Sequence, residues 1–305
     1  MRGIVAAALA TVSLTMAPQQ TFRVNVDAVR VDVLVMDGNR PVAGLSPADF
    51  ELRDSGVLQR MESVSYEDVP LSMLLALDAS GSVRGRPLDD LKHAGATAAG
   101  LLKPGDRGAV LTFAEEIDLA SDWTADHQHL ARAIERTQAS GSTALHDAAY
   151  SALTLRDPQA SRLLILIFSD GDDTASWLSG QTVIDAARRS DAVVYTVGLR
   201  NAAAGKLGYL ADFRSGPQFE IPPVLPRELA KSFLTALAEQ TGGKYIAIER
   251  SDQLRKTFAQ IVAESRTRYL LTYIPAGVEA GGWHPIEVKL KGRKGQVIAR
   301  RGYLR

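Results

Sequence analysis

Two hydrophobic rhythms divide the chain. From Phe22 to Met36, "FRVNVDAVRVDVLVM" alternates apolar and polar positions with period two, the spacing of a strand covered on one face. The apolar phase shifts once: Phe22, Val24 and Val26 share one parity, and Val29, Val31, Val33 and Val35 share the other. A shift of one residue turns the covered face over, so a bulge or break is expected near Ala28. "DGNRP" then turns the chain, and "DFELRDSGVLQRMESVSYEDV" reads as two or three short strands around Asp54-Ser55-Gly56. After Pro70 the rhythm changes. Leu71 to Leu77 is apolar at every position but Ser72, as a strand covered on both faces is.

Further apolar runs follow at Ala109–Ala114, in "RLLILIFSDGDD", in "AVVYTVGL" and in "KYIAI", and Ile117–Trp123 reads as a short edge strand. Between them helical spacing predicts segments near 87–102, 126–137, 144–156, 180–189, 227–240 and 252–266. Strands alternating with helices over 70–266 predict an α/β unit, a doubly wound and mostly parallel sheet with helices on both faces. "RYLLTYIP", "HPIEVKLK" and "QVIARRGYL" read as closing strands. Segments 22–69 and 268–305 are thus both β-rich, and they are expected to share a sheet in one flanking all-β domain, the alternative being two separate β-extensions. A Gly/Pro-rich stretch, Asn201–Pro226, separates a strand from the next helix.

The first twenty residues, "MRGIVAAALATVSLTMAPQQ", fit neither rhythm. Arg2 precedes an apolar run from Gly3 to Ala17, shorter than the ~20 residues that span a bilayer. Residues 1–17 read as a signal peptide, with an uncleaved anchor as the alternative, so the mature chain is expected to be secreted or periplasmic, with no transmembrane span after cleavage. In 305 residues there is no cysteine, which excludes disulfides and thiol chemistry. Formal net charge is zero, leaving no electrostatic footprint for nucleic acid.

Chemistry concentrates where strands end. Asp78, Ser80 and Ser82 follow one apolar run and Asp170 follows another, while "SGSTALHD" brings Thr143 to the start of a helix. In open α/β sheets, ligands bind beyond the carboxyl ends of strands. Two carboxylates and three hydroxyls form an all-oxygen donor set, which suits Mg²⁺, Mn²⁺ or Ca²⁺ and argues against zinc or copper. Helix capping would explain one of Asp78, Ser80 and Ser82, not three. Thr143 taken alone reads as a cap for the helix beginning at Ala144. Asp172 and Asp173 read as solvated or capping residues. Asp147, one helical turn after Thr143, could face the site or simply the surface. His127 and His129 stand at i and i+2, on different helix faces, and His93 and His146 read as helix-surface residues.

These residues resemble a family. "DASGS" fits D-x-S-x-S, the signature of the von Willebrand factor A domain, which is also the integrin I-domain fold. Thr143 in "SGSTAL" and Asp170 in "FSDGDD" match that family's third-loop threonine and fourth-strand aspartate. The resemblance covers about 70–266 and includes "TGGKYIAI". It implies a metal-ion-dependent adhesion site with Ser80, Ser82 and Thr143 as direct ligands. Asp78 and Asp170 would ligate or act through water. A Glu or Asp of a partner protein would complete the metal's shell. On this reading the protein is an exported, non-enzymatic binding module. Its flanks, "GLSPADFELRDSG" and "RYLLTYIP…HPIEVKL…ARRGY", resemble those of secreted bacterial proteins built around this domain.

Three alternatives stand beside it. One is a structural envelope module whose metal only stabilises the fold. The second is the domain's cytoplasmic use beside ATPases in metal-chelatase machines, which the signal segment disfavours. The third is a serine hydrolase, because Ser80, Asp170 and His284 follow the chain order Ser–Asp–His. Against the hydrolase, G-x-S-x-G is absent and His284 falls in the predicted β flank. No Walker-type phosphate loop is present either.

Overall fold

The computed structural model describes residues 28–38, 40–66, 69–170, 173–199 and 226–305. Segment 1–17, the phase shift over Phe22–Val26, Asp172 and the stretch 201–225 lie outside them. The alternating segment forms β1 (Val29–Asp37), followed by β2 (Arg40–Pro41), β3 (Phe50–Asp54), β4 (Val57–Leu58) and β5 (Met61–Ser65). The apolar runs form β6 (Leu71–Asp78), β7 (Arg107–Phe113), β8 (Ile117–Thr124), β9 (Arg162–Ser169), β10 (Val193–Leu199) and β11 (Tyr245–Ile248). Helices α1 (Arg86–Gly100), α2 (His127–Glu135), α3 (Leu145–Thr154), α4 (Gly180–Ala187), α5 (Pro226–Thr241) and α6 (Leu254–Arg266) connect them.

Six strands make the central sheet in the order β11-β10-β9-β6-β7-β8. All neighbours are parallel except β8, which runs antiparallel to β7 at the edge. The predominantly apolar runs follow from this position, since a central strand must satisfy two cores. In β6, Leu71, Met73, Leu75 and Leu77 pack with α1, α2 and α6, whereas Leu74 and Ala76 face α3, α4 and α5. Each buried leucine contributes roughly 1.5–3 kcal/mol, and the polar residue within the strand, Ser72, is buried with its hydroxyl donating to Asp157.

The flanking β region holds β12 (Tyr269–Tyr273), β13 (Trp283–Leu290), β14 (Gln296–Ala299) and β15 (Gly302–Leu304). It forms two sheets. In one, the N-terminal β1 lies between the C-terminal β14 and β12, antiparallel to both; in the other, β13 pairs with β3. Val31, Val33, Val35, Phe50, Leu52, Tyr269, Leu271 and Tyr273 meet between the sheets. "QVIARRGYL", which reads as one strand in sequence, breaks at Arg300–Arg301. β14 stays with β1, and β15 crosses to β13. Buried Arg300 marks the crossing, donating from Nε to the Gly302 carbonyl and from a terminal nitrogen to that of Arg188.

A buried ionic knot ties the two regions together. Arg162, at the start of β9, donates to the carbonyls of Ser265 and Arg268, and its Nε lies 2.9 Å from Asp32 Oδ1 on β1. Arg268, 1 % exposed, donates to Tyr195 Oη and to the carbonyls of Gly242 and Asp32. This knot sits at the amino end of β9. At ~3.3 Å per residue, the carboxyl end of that strand is about 23 Å away, and the flank therefore leaves that far end of the sheet open.

Candidate metal centre

β6 and β9 are neighbours, and the chain leaves them towards opposite faces: α1 packs on one side of the sheet and α4 on the other. Their carboxyl ends therefore form the switch point at which such sheets bind ligands. Asp78 is the last residue of β6, fully buried, and Asp170 directly follows β9. Asp78 Oδ1 accepts the Ser80 N–H at 2.9 Å, and its Oδ2 accepts the Ser169 hydroxyl at 2.7 Å. Ser80 Oγ and Ser82 Oγ are hydrogen-bonded at 2.9 Å, and Ser82 Oγ donates to Asp170 Oδ1 at 2.7 Å. Four of the five sequence-predicted residues thus meet through one polar chain.

Thr143 arrives on a second loop. The Ser140 N–H donates to the Ala79 carbonyl, the Gly81 N–H to that of Gly141, and the Ala144 N–H to that of Ala114. These bonds lay the loop along the residues that follow Asp78, with Thr143 itself buried. Gly141 carries the turn at φ +72°, and a Cβ there would sit 3.2 Å from the Glu115 side chain. Glu115 in turn accepts from the N–H and hydroxyl of Ser142.

Capping does not account for these hydroxyls. Ser80 precedes the 3₁₀ turn Gly81–Val83 and makes no side-chain cap bond to it. The cap position of α3 is Ala144, not Thr143. Asp173 does cap, accepting the His146 N–H, in line with its expected role. Asp147 is resolved towards neither open reading: its carboxylate accepts the N–H groups of Trp177 and Leu178, holding the loop after β9. His284 lies in β13, buried, with Nδ1 3.0 Å from Asp54 Oδ1 and 3.4 Å from Ser55 Oγ. Its ring is thus engaged within the flank.

Electrostatics set the character of the site. Burial pushes the Asp78 carboxyl up to about 6, the nearby Asp170 charge pushes the same way, and hydrogen bonds from Ser80 and Ser169 offset part of it. No cationic side chain is among the groups that shift it. Two close carboxylates in a buried setting favour a cation between them. The donor set therefore fits a divalent ion on its chemistry. Ser169 is the participant that sequence reasoning missed. The signal available was a hydroxyl residue directly before Asp170 in "FSDGDD". Thr174, whose Oγ1 accepts the Thr143 N–H, carried no comparable signal.

Residues 73–172 match the family model of the von Willebrand factor type A domain. No curated protein matches the sequence. Among solved structures, a von Willebrand factor type A protein from Catenulispora acidiphila superposes with a TM-score of 0.51 at 14% identity, covering 89% of this chain and 75% of that one. Proximal thread matrix protein 1 from the mussel byssus, solved with a zinc-occupied MIDAS motif, superposes with a TM-score of 0.50 at 16% identity. The overlap covers 68% of this chain and 48% of the mussel protein. At such identities the likeness concerns the fold. Over residues 73–172 the family match and the fold agree on a von Willebrand factor type A domain.

Proposed function

We propose that the protein is a non-enzymatic binding module that uses a divalent cation to capture a Glu or Asp side chain of a partner protein. Ser80, Ser82 and Thr143 would hold the ion directly, with Asp78 and Asp170 supplying its counter-charge. When bound, the ion offers an electrophilic position to an incoming carboxylate. The observation that carries the reading is the Ser80–Ser82–Asp170 hydrogen-bonded chain beside buried Asp78, whose carboxyl is shifted by the Asp170 carboxylate and by the Ser80 and Ser169 hydrogen bonds. Oxygen donors favour Mg²⁺, then Mn²⁺ and Ca²⁺, with Zn²⁺ as the competitor to include in the test. Segments 22–69 and 268–305 act on this reading as one mount. The "MRGIVAAALATVSLTMA" leader favours export to the periplasm or beyond. Among the described residues no helix is long and apolar enough to cross a membrane.

The test is calorimetric titration of each metal into chelator-stripped protein, beside Asp78→Ala and Thr143→Ala variants. Saturable one-site binding that both substitutions abolish is the expected result. Unchanged binding in both variants would sink the assignment. A metal that raises thermal stability but leaves every acidic ligand unbound would instead favour a purely stabilising role.

A further inference from the structure

Beside the candidate metal centre stands a side chain that folding does not use. Trp177 is 96% exposed, and no other large apolar residue among those described approaches that figure; the next, Leu58, reaches 57%. An indole left in water forgoes the burial that drives folding. Its loop is nevertheless firmly held. The N–H groups of Thr174 and Ala175 donate to the Thr143 carbonyl, and the Thr143 N–H donates to Thr174 Oγ1. Asp173 accepts the His146 N–H, and Ser176 Oγ accepts the Asp147 N–H. Asp147 returns the contact by accepting from the N–H groups of Trp177 and Leu178. Loop and helix α3 thus cap one another.

We infer that Trp177 is the apolar anchor of the partner-binding face, and that the partner is a protein segment carrying a bulky apolar side chain within about three residues of its metal-seeking carboxylate. The inference rests on the metal-capture reading above and specifies its partner. Thr143 joins the two features, being both a proposed ligand and the residue to which the tryptophan's loop is bonded. Trp177 is three residues from Thr174, at most ~10 Å of extended chain. A partner strand rising ~3.3 Å per residue covers that distance in about three positions. Pre-ordering removes the cost of freezing the loop on binding, and tryptophan is enriched among residues that dominate binding energy. Tyr150, 38% exposed and one helical turn beyond His146 and Asp147, adds a second aromatic to the same side of α3. The anionic end of the segment suits the cation and its apolar neighbour suits the indole.

The experiment selects displayed random dodecapeptides on the full chain loaded with Mn²⁺, then compares wild type, Trp177→Ala, Trp177→Phe and Asp78→Ala. Enriched peptides are expected to hold one Asp or Glu with an aromatic or branched apolar residue within three positions. Trp177→Ala should weaken their binding at least tenfold and Trp177→Phe should restore most of it, both with unchanged Mn²⁺ affinity. Metal-dependent peptides that bind Trp177→Ala as well as wild type would overturn this inference and leave metal capture standing. Peptides that need Trp177 but ignore metal and Asp78→Ala would overturn the shared face and weaken metal capture itself. Metal-dependent dimerisation in sedimentation, lost in Trp177→Ala, would give the face to a second copy and overturn the partner assignment.

Discussion

Replacing Asp78 by Asn tests the electrostatics of the centre without any partner. In the metal-free fold, burial and the Asp170 charge hold Asp78 at about 6 against an ordinary 3.8, so the folded state binds its proton more tightly than the unfolded chain does. A carboxyl raised in this way stabilises the fold at low pH, and that contribution is lost as pH rises from about 4 through about 6. The difference of about two units corresponds to about 3 kcal/mol. Asn keeps an oxygen for the Ser80 N–H, while the Ser169 hydroxyl can turn to accept from the new amide. Relative to wild type, Asp78→Asn should therefore gain about 3 kcal/mol in chelator between about pH 4 and pH 7. Saturating Mg²⁺ should reverse the order, because only wild type then gains binding energy. Urea unfolding across that pH range, with chelator and then with Mg²⁺, measures both effects. A stability difference that is flat with pH in chelator, or one that grows in favour of wild type, would refute the reasoning.

The remaining predictions concern the frame that holds the site. Asp32→Ala leaves Arg162 and Arg268 buried without their shared carboxylate and should cost about 3–5 kcal/mol in urea unfolding; a loss under about 1 kcal/mol would mean the knot is well solvated. A Cβ on Gly243 would lie 1.9 Å from the Val194 carbonyl oxygen, whereas one on Gly100 meets nothing within 4 Å. Gly243→Ala should thus lose more than about 4 kcal/mol, while Gly100→Ala on α1 gains up to about 1 kcal/mol, both read by thermal unfolding. Burial pushes Asp54 up, but hydrogen bonds from Tyr273, His284, Tyr303 and Ser55 together hold it below the ordinary carboxylate range. Its contribution is present above about pH 4 and is lost as pH falls further, so Asp54→Asn should flatten the acid limb of the stability curve in circular dichroism.

Much of this was legible along the chain because local physics and tertiary context agree there. Apolar runs as nearly continuous as Leu71–Leu77, broken only at Ser72, have one comfortable setting, the middle of a sheet covered on both faces, and β6 and β9 occupy it. Oxygen donors placed directly after such runs had to fall at strand ends, and Asp78 and Asp170 do. The tail "QVIARRGYL" was misread as one strand because periodicity carries no sign of a crossing between sheets. That crossing depends on where the Arg300 guanidinium finds carbonyl partners. Asp147 stayed ambiguous for a similar reason, since its partners lie about thirty residues away, across strand β9.

By itself the sequence determined the α/β order, the β-rich flanks and the oxygen-only chemistry, all of which depend on residue type and spacing over a few positions. Only the tertiary structure decided that β1 would lie between β14 and β12, and that Ser169 would bond Asp78. It also decided that Trp177 would stand in solvent on a loop clamped to α3. These are long-range pairings, selected by which distant groups satisfy one another's hydrogen bonds and charges, and no local pattern encodes them.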